Sequence, residues 1–530
     1  MRSLAFISCL FLLSGCPFEP NPKYCNVSED PNERDGCEPG FLCVTNGSSS
    51  ECVESCLTAT CDVDSATPRC DTESELCVAC DVNIPCLNGG VCRPDGSCEI
   101  VMCTPDDNAC GSGAPVCGPD GMCAPCTAGT AGDGDCAVHA PLSYCVANNA
   151  GGTQCAACRD DMHCEQGQVC HEGSFTCGPC TEHSQCANQA CLDGVCLEET
   201  DILYVEPNGD DAPMLCSSAA PCKTINGALA VMNTGDQRSF IMVEGDATVT
   251  YEGVLAMPDR RVFLHGQGAV IKPVGTPIDD KPVIVIDQAN SVIDIENFDV
   301  RGAGGGAGAD GIDCDGGAEL RVRLAKIQDN DGQGIQALDC TLTVERSTVV
   351  RNKLGGIRVR DAAFTIRNNF IVFNGDQFVS NFGGVLIDNG DSQQSPQLFD
   401  FNTVARNTSL DIGGVASTGF GCTANTTAVT AVGNIVFDNQ GPGMVPATRL
   451  ANCVFEYSNV QDDDVGANNI NVPPAFVNWM TDDFHLDGPQ ESVDVPGLMP
   501  AWCEQGCLDN DGNERPYNGA YDMGADEYVP

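Results

Sequence analysis

The sequence predicts a mainly β chain in two parts: a solenoid of stacked short strands in the larger, C-terminal part, preceded by a disulfide-rich stalk with little regular structure. Three observations predict it. From Gly334 to Asn374 the residues Ile335, Ala337, Leu342, Val344, Val349 and Asn352 recur 22 positions later as Ile357, Val359, Phe364, Ile366, Ile371 and Asn374. Such a unit, with alternating apolar positions, Gly before its first strand and Asn at its last turn, cannot bury its apolar face alone and must stack on its neighbours. Second, of 38 cysteines, 28 lie between Cys25 and Cys196. Third, composition changes sharply near residue 200, so this chain of 530 residues holds at least two regions.

Residues 1–16 read as an export signal: Arg2 gives a short basic start, Leu4 to Leu13 is apolar, and Leu13-Ser14-Gly15-Cys16 closes it. That tetrad resembles the bacterial lipobox. The resemblance implies acylation of Cys16, export as a lipoprotein, and attachment to a membrane through the acyl chains. Several chains on one residue anchor stably where a single chain does not. By the same resemblance, Pro17 after the cysteine points to the outer membrane or cell surface. No later stretch is apolar for long enough to span a bilayer.

Residues 17–200 form the stalk. Its cysteines fall into seven groups of four, beginning at Cys25, Cys56, Cys80, Cys103, Cys126, Cys158 and Cys180. Gly, Pro, Asp, Asn and Ser dominate between them, so the modules lack a useful core and disulfides must hold them. Setting aside Cys9 in the signal and Cys16 leaves 36 cysteines, an even number suited to an oxidising, exported setting. Spacing does not give the connectivity. Cys177-Gly178-Pro179-Cys180 resembles the thioredoxin motif but has no preceding Trp and no βαβ context, and similar joints recur at Cys77–Cys80, Cys123–Cys126 and Cys155–Cys158. It reads as a spacer between modules. Zinc binding by these pairs would require thiolates to survive export. Cys86 to Cys92 resembles the opening of an EGF-like module, without the closing pattern.

Residues 201–280 read as an N-terminal cap and first rungs. Leu203-Tyr204-Val205 is a short strand, and Pro221 to Ala230 a turn leading into an amphipathic helix. A solenoid needs such a lid over its terminal strand edges. Residues 281–465 carry the repeats, with looser copies around Ile312, Leu320, Val322, Ile327 and Asn330 upstream, and around Val385, Ile387, Asn402 to Asn407 and Asn434 to Asn439 downstream. Residues 466–530 close the chain. Cys216 with Cys222, Cys314 with Cys340, Cys422 with Cys453, and Cys503 with Cys507 are plausible local disulfides.

The cap, the 22-residue rungs and the Asn-rich turns together make residues 202–530 resemble the right-handed parallel β-helix of pectin-lyase-like proteins. The tail adds Asp483-Phe484-His485-Leu486, Asp511 to Pro516 and Asp522 to Glu527, which resemble the closing segment of bacterial β-helix surface proteins; the Cys-rich region fits the lipoprotein type. Stacked rungs would place Asn330, Asn352 and Asn374 at one corner as an amide ladder.

The net charge of −50 excludes nucleic acid as a partner and makes calcium the one ion the surface invites. Aligning Ile312 to Asp315, Ile335 to Leu338, Ile357 to Arg360 and Val385 to Asp388 gives an outward face of Asp313, Asp315, Gln336, Arg358, Arg360 and Asp388, a reasonable polysaccharide-binding surface. Asp313 and Asp315 would stand roughly 6.6 Å apart, near the carboxyl separation of inverting glycosidases. Arg358 and Arg360 would serve as charge stabilisers. Pectin-cleaving members of the resembled family show Asn-Thr-Asp, Asp-Asp, Gly-His-Gly and Arg-Ile-Lys elements. Here the nearest text is Asn402-Thr403-Val404, and no His lies between His265 and His485. Weak calcium candidates are Asp310 and Asp313, in a single copy of a β-roll-like nonapeptide, and Asp509 and Asp511, in a tail loop with alternating oxygen ligands. The expected role is a lipid-anchored surface protein whose β-helix binds polysaccharide or a cell-surface glycan. The alternatives are a polysaccharide lyase or glycoside hydrolase on the same face, and a purely structural envelope protein.

Overall fold

The computed structural model describes residues 153–530 apart from short gaps, and shorter segments between 41 and 147. The signal ending at Cys16 and much of the first four cysteine groups lie outside the described residues. The chain divides into two compact units, Met1–Cys196 and Leu197–Pro530.

The first unit is a string of antiparallel two-stranded hairpins, each placing the third and fourth cysteine of its group opposite one another: Cys43 and Cys52, Cys70 and Cys77, Cys92 and Cys98, Cys117 and Cys123, Cys145 and Cys155, Cys170 and Cys177, Cys191 and Cys196. In the last three groups these facing cysteines are not bonded to each other. The first cysteine bonds the third and the second the fourth: Cys126–Cys145 and Cys136–Cys155, Cys158–Cys170 and Cys164–Cys177, Cys180–Cys191 and Cys186–Cys196. Each bond closes a loop of 10 to 19 residues. By loop-closure entropy such a bond contributes about 3 kcal/mol, which stands in for the absent core. Cys177 and Cys180 therefore belong to successive modules, and the Gly178-Pro179 step joins them.

In the second unit, three parallel sheets of eight, nine and eight strands run the length of the repeats among the described residues. From Arg261 to Cys422 every rung contributes one strand to each, and beyond it Val429–Val432 and Cys453–Glu456 pair with each other apart from the first sheet. In the first sheet Ile295, Val322, Val344, Ile366 and Phe399 stack in register, and in the second Ile271, Val300, Ile327, Val349, Ile371, Val404 and Val436 do so. All are buried, each contributing about 1.5–3 kcal/mol. Helix Ile225–Asn233, N-capped by Thr224, turns Ile225, Ala228, Leu229 and Met232 into the same core as Leu203 and Val205. The outward face of the first sheet carries an alternating row in register, Glu296, Arg323, Glu345, Arg367 and Asp400, with Arg323 donating to Glu296 at 3.0 Å and Arg367 to Glu345 at 2.5 Å. Cys216–Cys222, Cys314–Cys340, Cys422–Cys453 and Cys503–Cys507 are disulfides.

The corners are built on asparagine. Asn330, Asn352, Asn374, Asn407 and Asn439 form one buried column in which each amide donates to the next carbonyl oxygen at 2.8–3.1 Å. A second column, absent from the sequence reading, runs through Asn369, Asn402 and Asn434 to Ser458. The residue before each ladder position has positive φ: Asp329, Arg351, Phe373, Arg406 and Asp438 before the first column, Asn368, Phe401 and Gly433 before the second. For a non-glycine residue this costs about 1–2 kcal/mol. The ladder amides offset it by satisfying buried backbone groups on both sides of each bend.

The closing segment does more than lid the last rung. It folds back along the outer face of the second sheet, where Phe484 and Ala525 pack on Val350, Phe370, Val372 and Ala405. Nearby, Leu486, Val495, Leu498, Tyr521 and Met523 cover Phe401 and Ile435. This explains why Phe370–Val372 and Thr403–Ala405 are buried on both faces. His485 stands between Asp511 (2.8 Å) and Asp483 (2.6 Å), which push its pKa up to about 9, with its ring edge on Phe370.

Candidate functional site

The outward residues of the third sheet alternate as the sequence requires. Asp313, Gln336, Arg358 and Leu386 share one row, and Leu338, Arg360 and Asp388 the next. Their inward neighbours Ile312, Ile335, Ile357 and Val385 are fully buried. Two irregularities raise walls beside this face. One is the Gly302–Gly308 turn. The other follows from the step between paired strand positions, which lengthens from 22 residues (Ile335 to Ile357) to 28 (Ile357 to Val385) and loops out residues 375–384.

Between the walls lies a groove of about 960 Å³. Gln333, Gln336, Arg358, Leu386 and Asp388 form its floor, Gly305 to Ala307 and Asp331 one side, and Leu354, Val379, Asn381 and Phe382 line it with Lys353 and Thr423. Gly355 has φ 128° and lies so close to the Phe382 ring that a β-carbon would stand 2.5 Å from it. Glycine is therefore what lets that aromatic ring seat against the floor.

Of the six face residues read from the sequence, Gln336, Arg358 and Asp388 line the groove, whereas Asp313, Asp315 and Arg360 are not among its lining. Asp313 is half-buried and accepts from Gln336 Nε2 at 3.1 Å. Burial first, then the charges of Asp315 and Asp287, raise its pKa. Asp315 and Arg360 are exposed, and Asp315 follows the strand Ile312–Cys314. Sequence reasoning did not single out Gln333, Lys353, Asn381, Phe382 or Thr423. The 28-residue step was the available signal, since extra residues in one rung must project from the solenoid.

Hydrogen bonding fixes the polar floor. Asp331 accepts from Gly305 N–H (3.2 Å) and Asp388 from Thr423 Oγ1 (2.8 Å). Asp310 is 1% exposed and accepts the Gln333 N–H at 2.5 Å. Gln333 Nε2 donates to Gln336 Oε1 at 3.1 Å. Two buried atoms of groove-lining residues make no hydrogen bond, the acceptor Gln333 Oε1 and the donor Arg358 Nε. Leaving such groups unpaired costs about 1–3 kcal/mol each, and both atoms lie beneath the surface of the groove rather than exposed in it.

Each of the calcium candidates holds at least one protein donor. Asp509 is fully buried and takes four donors: the N–H groups of Gly512, Asn513 and Glu527, and Asn513 Nδ2. Asp511 is paired with His485, Asp310 holds the Gln333 N–H, and Asp313 holds Gln336.

The sequence model of the family described as "Right handed beta helix region" matches residues 310–472. No curated protein matches the chain. Among solved structures, pectate lyase Pel9A is similar, at 13% identity, over 62% of this chain and 96% of that one, with a TM-score of 0.40. With three parallel sheets sharing one internal core, the chain carries a right-handed parallel β-helix after a disulfide-rich N-terminal region.

Proposed function

We propose that this is an exported protein, lipid-anchored through Cys16, whose β-helix binds a polysaccharide or cell-surface glycan in the third-sheet groove. The observation that carries the reading is the lining of the groove, in which the cations Arg358 and Lys353 and the amide residue Gln336 stand beside Phe382, Leu354 and Leu386. Sugars present hydroxyl groups around their rims and apolar C–H faces, and this lining offers partners for both. The volume is at the upper end of the roughly 300–1,000 Å³ of small-molecule sites, room for several rings. In a chain of net charge −50, Arg358 and Lys353 mark the groove as the place where an acidic sugar can approach. Binding is favoured over cleavage because Asp315, one of the two carboxylates read as an acid–base pair, stands outside the groove, and Asp331 and Asp388 already hold protein donors.

The test is retention of the full chain on polygalacturonate, alginate, xylan and galactan, with the melting temperature as a fold control. Arg358→Ala should weaken binding about tenfold or more, the loss of a charged hydrogen bond, without lowering the melting temperature. Retention on none of the four would sink the binding role, and release of unsaturated sugars would replace it with a lyase. Anchoring is tested by Cys16→Ser, which should move the protein from the membrane fraction to the soluble one; a mutant that still sediments with membranes refutes it.

A further inference from the structure

Away from the groove, the closing segment brings one ring nitrogen and two carboxylates together on the second sheet. His485 comes from the strand Asp483–Leu486, Asp511 from the turn that follows Cys507–Leu508, and Asp526 from the stretch that packs Ala525 on the sheet. One donor atom from each lies within 4.8 Å of the other two. The ring is fixed through its other nitrogen: His485 Nδ1 is 2.6 Å from Asp483 Oδ1, and the ring edge rests on Phe370. With Nδ1 donating to Asp483, the Nε2 lone pair is aimed into the cluster. Asp526 is 6% exposed and accepts the Leu486 N–H at 2.7 Å, which holds its carboxyl beside that ring. Nε2 is enclosed and stands 2.8 Å from Asp511 Oδ2, yet makes no hydrogen bond. The carboxylate therefore sits beside the nitrogen's axis and not on it, as two ligands of one ion do and the two ends of a shared proton do not.

We propose that His485 Nε2, Asp511 and Asp526 are the ligands of a divalent transition metal, zinc above all, and that the ion clamps the closing segment onto the solenoid. A histidine nitrogen with two carboxylate oxygens suits zinc, whereas calcium takes oxygen ligands alone. A metal-ligating histidine donates its other N–H to a carboxylate or carbonyl that fixes its tautomer and ring direction, and Asp483 holds that place here. Without an ion, a proton on the ring answers the negative charge of the three carboxylates. A divalent ion replaces it and is held by the same field. Arg346 acts on Asp511 and Arg515 on Asp526, and together they offset that charge only in part.

The ion has a way in. Ligand bonds of about 2.0–2.2 Å at tetrahedral angles separate the donor atoms by about 3.4 Å, so the 2.8 Å contact has to open by about half an ångström. Asp511 can supply that movement, since its side chain is 51% exposed on a turn and covers Nε2 from the solvent side. The three ligands belong to three separated stretches of the chain, so an ion bound to all of them resists the opening of any one.

The experiment adds zinc sulfate to the chelator-treated full chain near pH 8 and follows binding by calorimetry, beside the ring resonances of protein labelled with ¹⁵N-histidine. The spectrum tells this site from any other among the six histidines. The His485 Nε2 signal should shift and saturate at equimolar zinc while Nδ1 keeps its proton, and calcium at the same concentration should move neither. Asp511→Asn, on an exposed turn, should weaken this zinc about tenfold or more. Asp483→Asn keeps all three ligands but loosens the ring, and should cost about tenfold to a hundredfold in affinity. Zinc at about a hundred times its dissociation constant should slow proteolysis within residues 476–528 about a hundredfold, since only the closed segment presents all three ligands. A His485 ring that zinc does not shift overturns the site, and so does an affinity unchanged in Asp511→Asn. Zinc bound at His485 with no protection of the segment overturns the clamp.

Discussion

Asn374→Leu should destabilise the β-helix by about 3–5 kcal/mol, read as a fall in the urea midpoint with little change in slope. The side chain is fully buried and serves five groups: it accepts from the backbone N–H and Nδ2 of Asn352, and donates to Val349 O, Val372 O and Asn407 Oδ1. Leucine has similar volume and makes none of these bonds, so several buried donors and acceptors lose their partners at about 1–3 kcal/mol each, partly offset by the gain in apolar surface. The bend at Phe373, held at φ 55°, also loses the amide that secures it. A loss under about 1 kcal/mol would mean that water or relaxed backbone replaces the ladder, and that the columns merely accompany the fold.

Arg515→Met should cost about 3–5 kcal/mol and free the closing segment, visible as rapid proteolysis within residues 476–528 while the rungs resist. Arg515 is 1% exposed. Its Nη2 donates to Gly524 O at 2.8 Å, its guanidinium lies 4.6 Å over the Phe401 ring, and Nε is 3.6 Å from the Glu527 carboxylate. Glu527 and Asp522 are buried beside it, accepting backbone N–H groups from Tyr517, Asp494 and Tyr528. Removing one member of a buried charge group leaves the others uncompensated, which is worse than never having built it. Adding Glu527→Gln should therefore restore part of the stability. If the double variant is less stable than Arg515→Met, the charge argument fails and the arginine acts by packing alone.

The solenoid was legible because its signal is repetition. Ile335 and Ile357 point inward for the same reason, and a period of 22 residues leaves few other ways to bury both. The outward face followed from alternation along each strand, and Gln336, Arg358 and Asp388 were found that way. The groove was not, because its walls come from the irregular turns at 302–308 and 375–384, where no period constrains the chain. Gln333 illustrates the gap: its backbone lies in the repeat, but its N–H is held by a carboxyl 23 residues earlier, outside the repeated positions. The second asparagine column was written in the spacing of Asn369, Asn402 and Asn434, but the position 22 residues before Asn369 is Ser347, so the regular pair of rungs that revealed the period holds no second pair of asparagines. The αL corners left no trace, since Arg351 and Phe373 are not residues that advertise a left-handed bend. In the stalk, cysteine counting gave the modules; the bonding order needed the hairpins that set facing cysteines side by side.

Asn510 of the closing segment reaches two successive rungs at once, its amide donating to Ser347 O at 3.4 Å and to Asn368 O at 2.9 Å. A single side chain thus works as a gauge of the interval between them. An inserted or deleted residue in that stretch would put one acceptor out of reach, so this part of the solenoid has a fixed length. The turn that leads from Phe370–Val372 into Val385–Asp388 already carries six residues more than the basic repeat, in a part of the rung that Asn510 does not touch. Sequence drift in length is thereby steered to the turns that wall the groove, where it alters what the molecule can hold without disturbing how it coils.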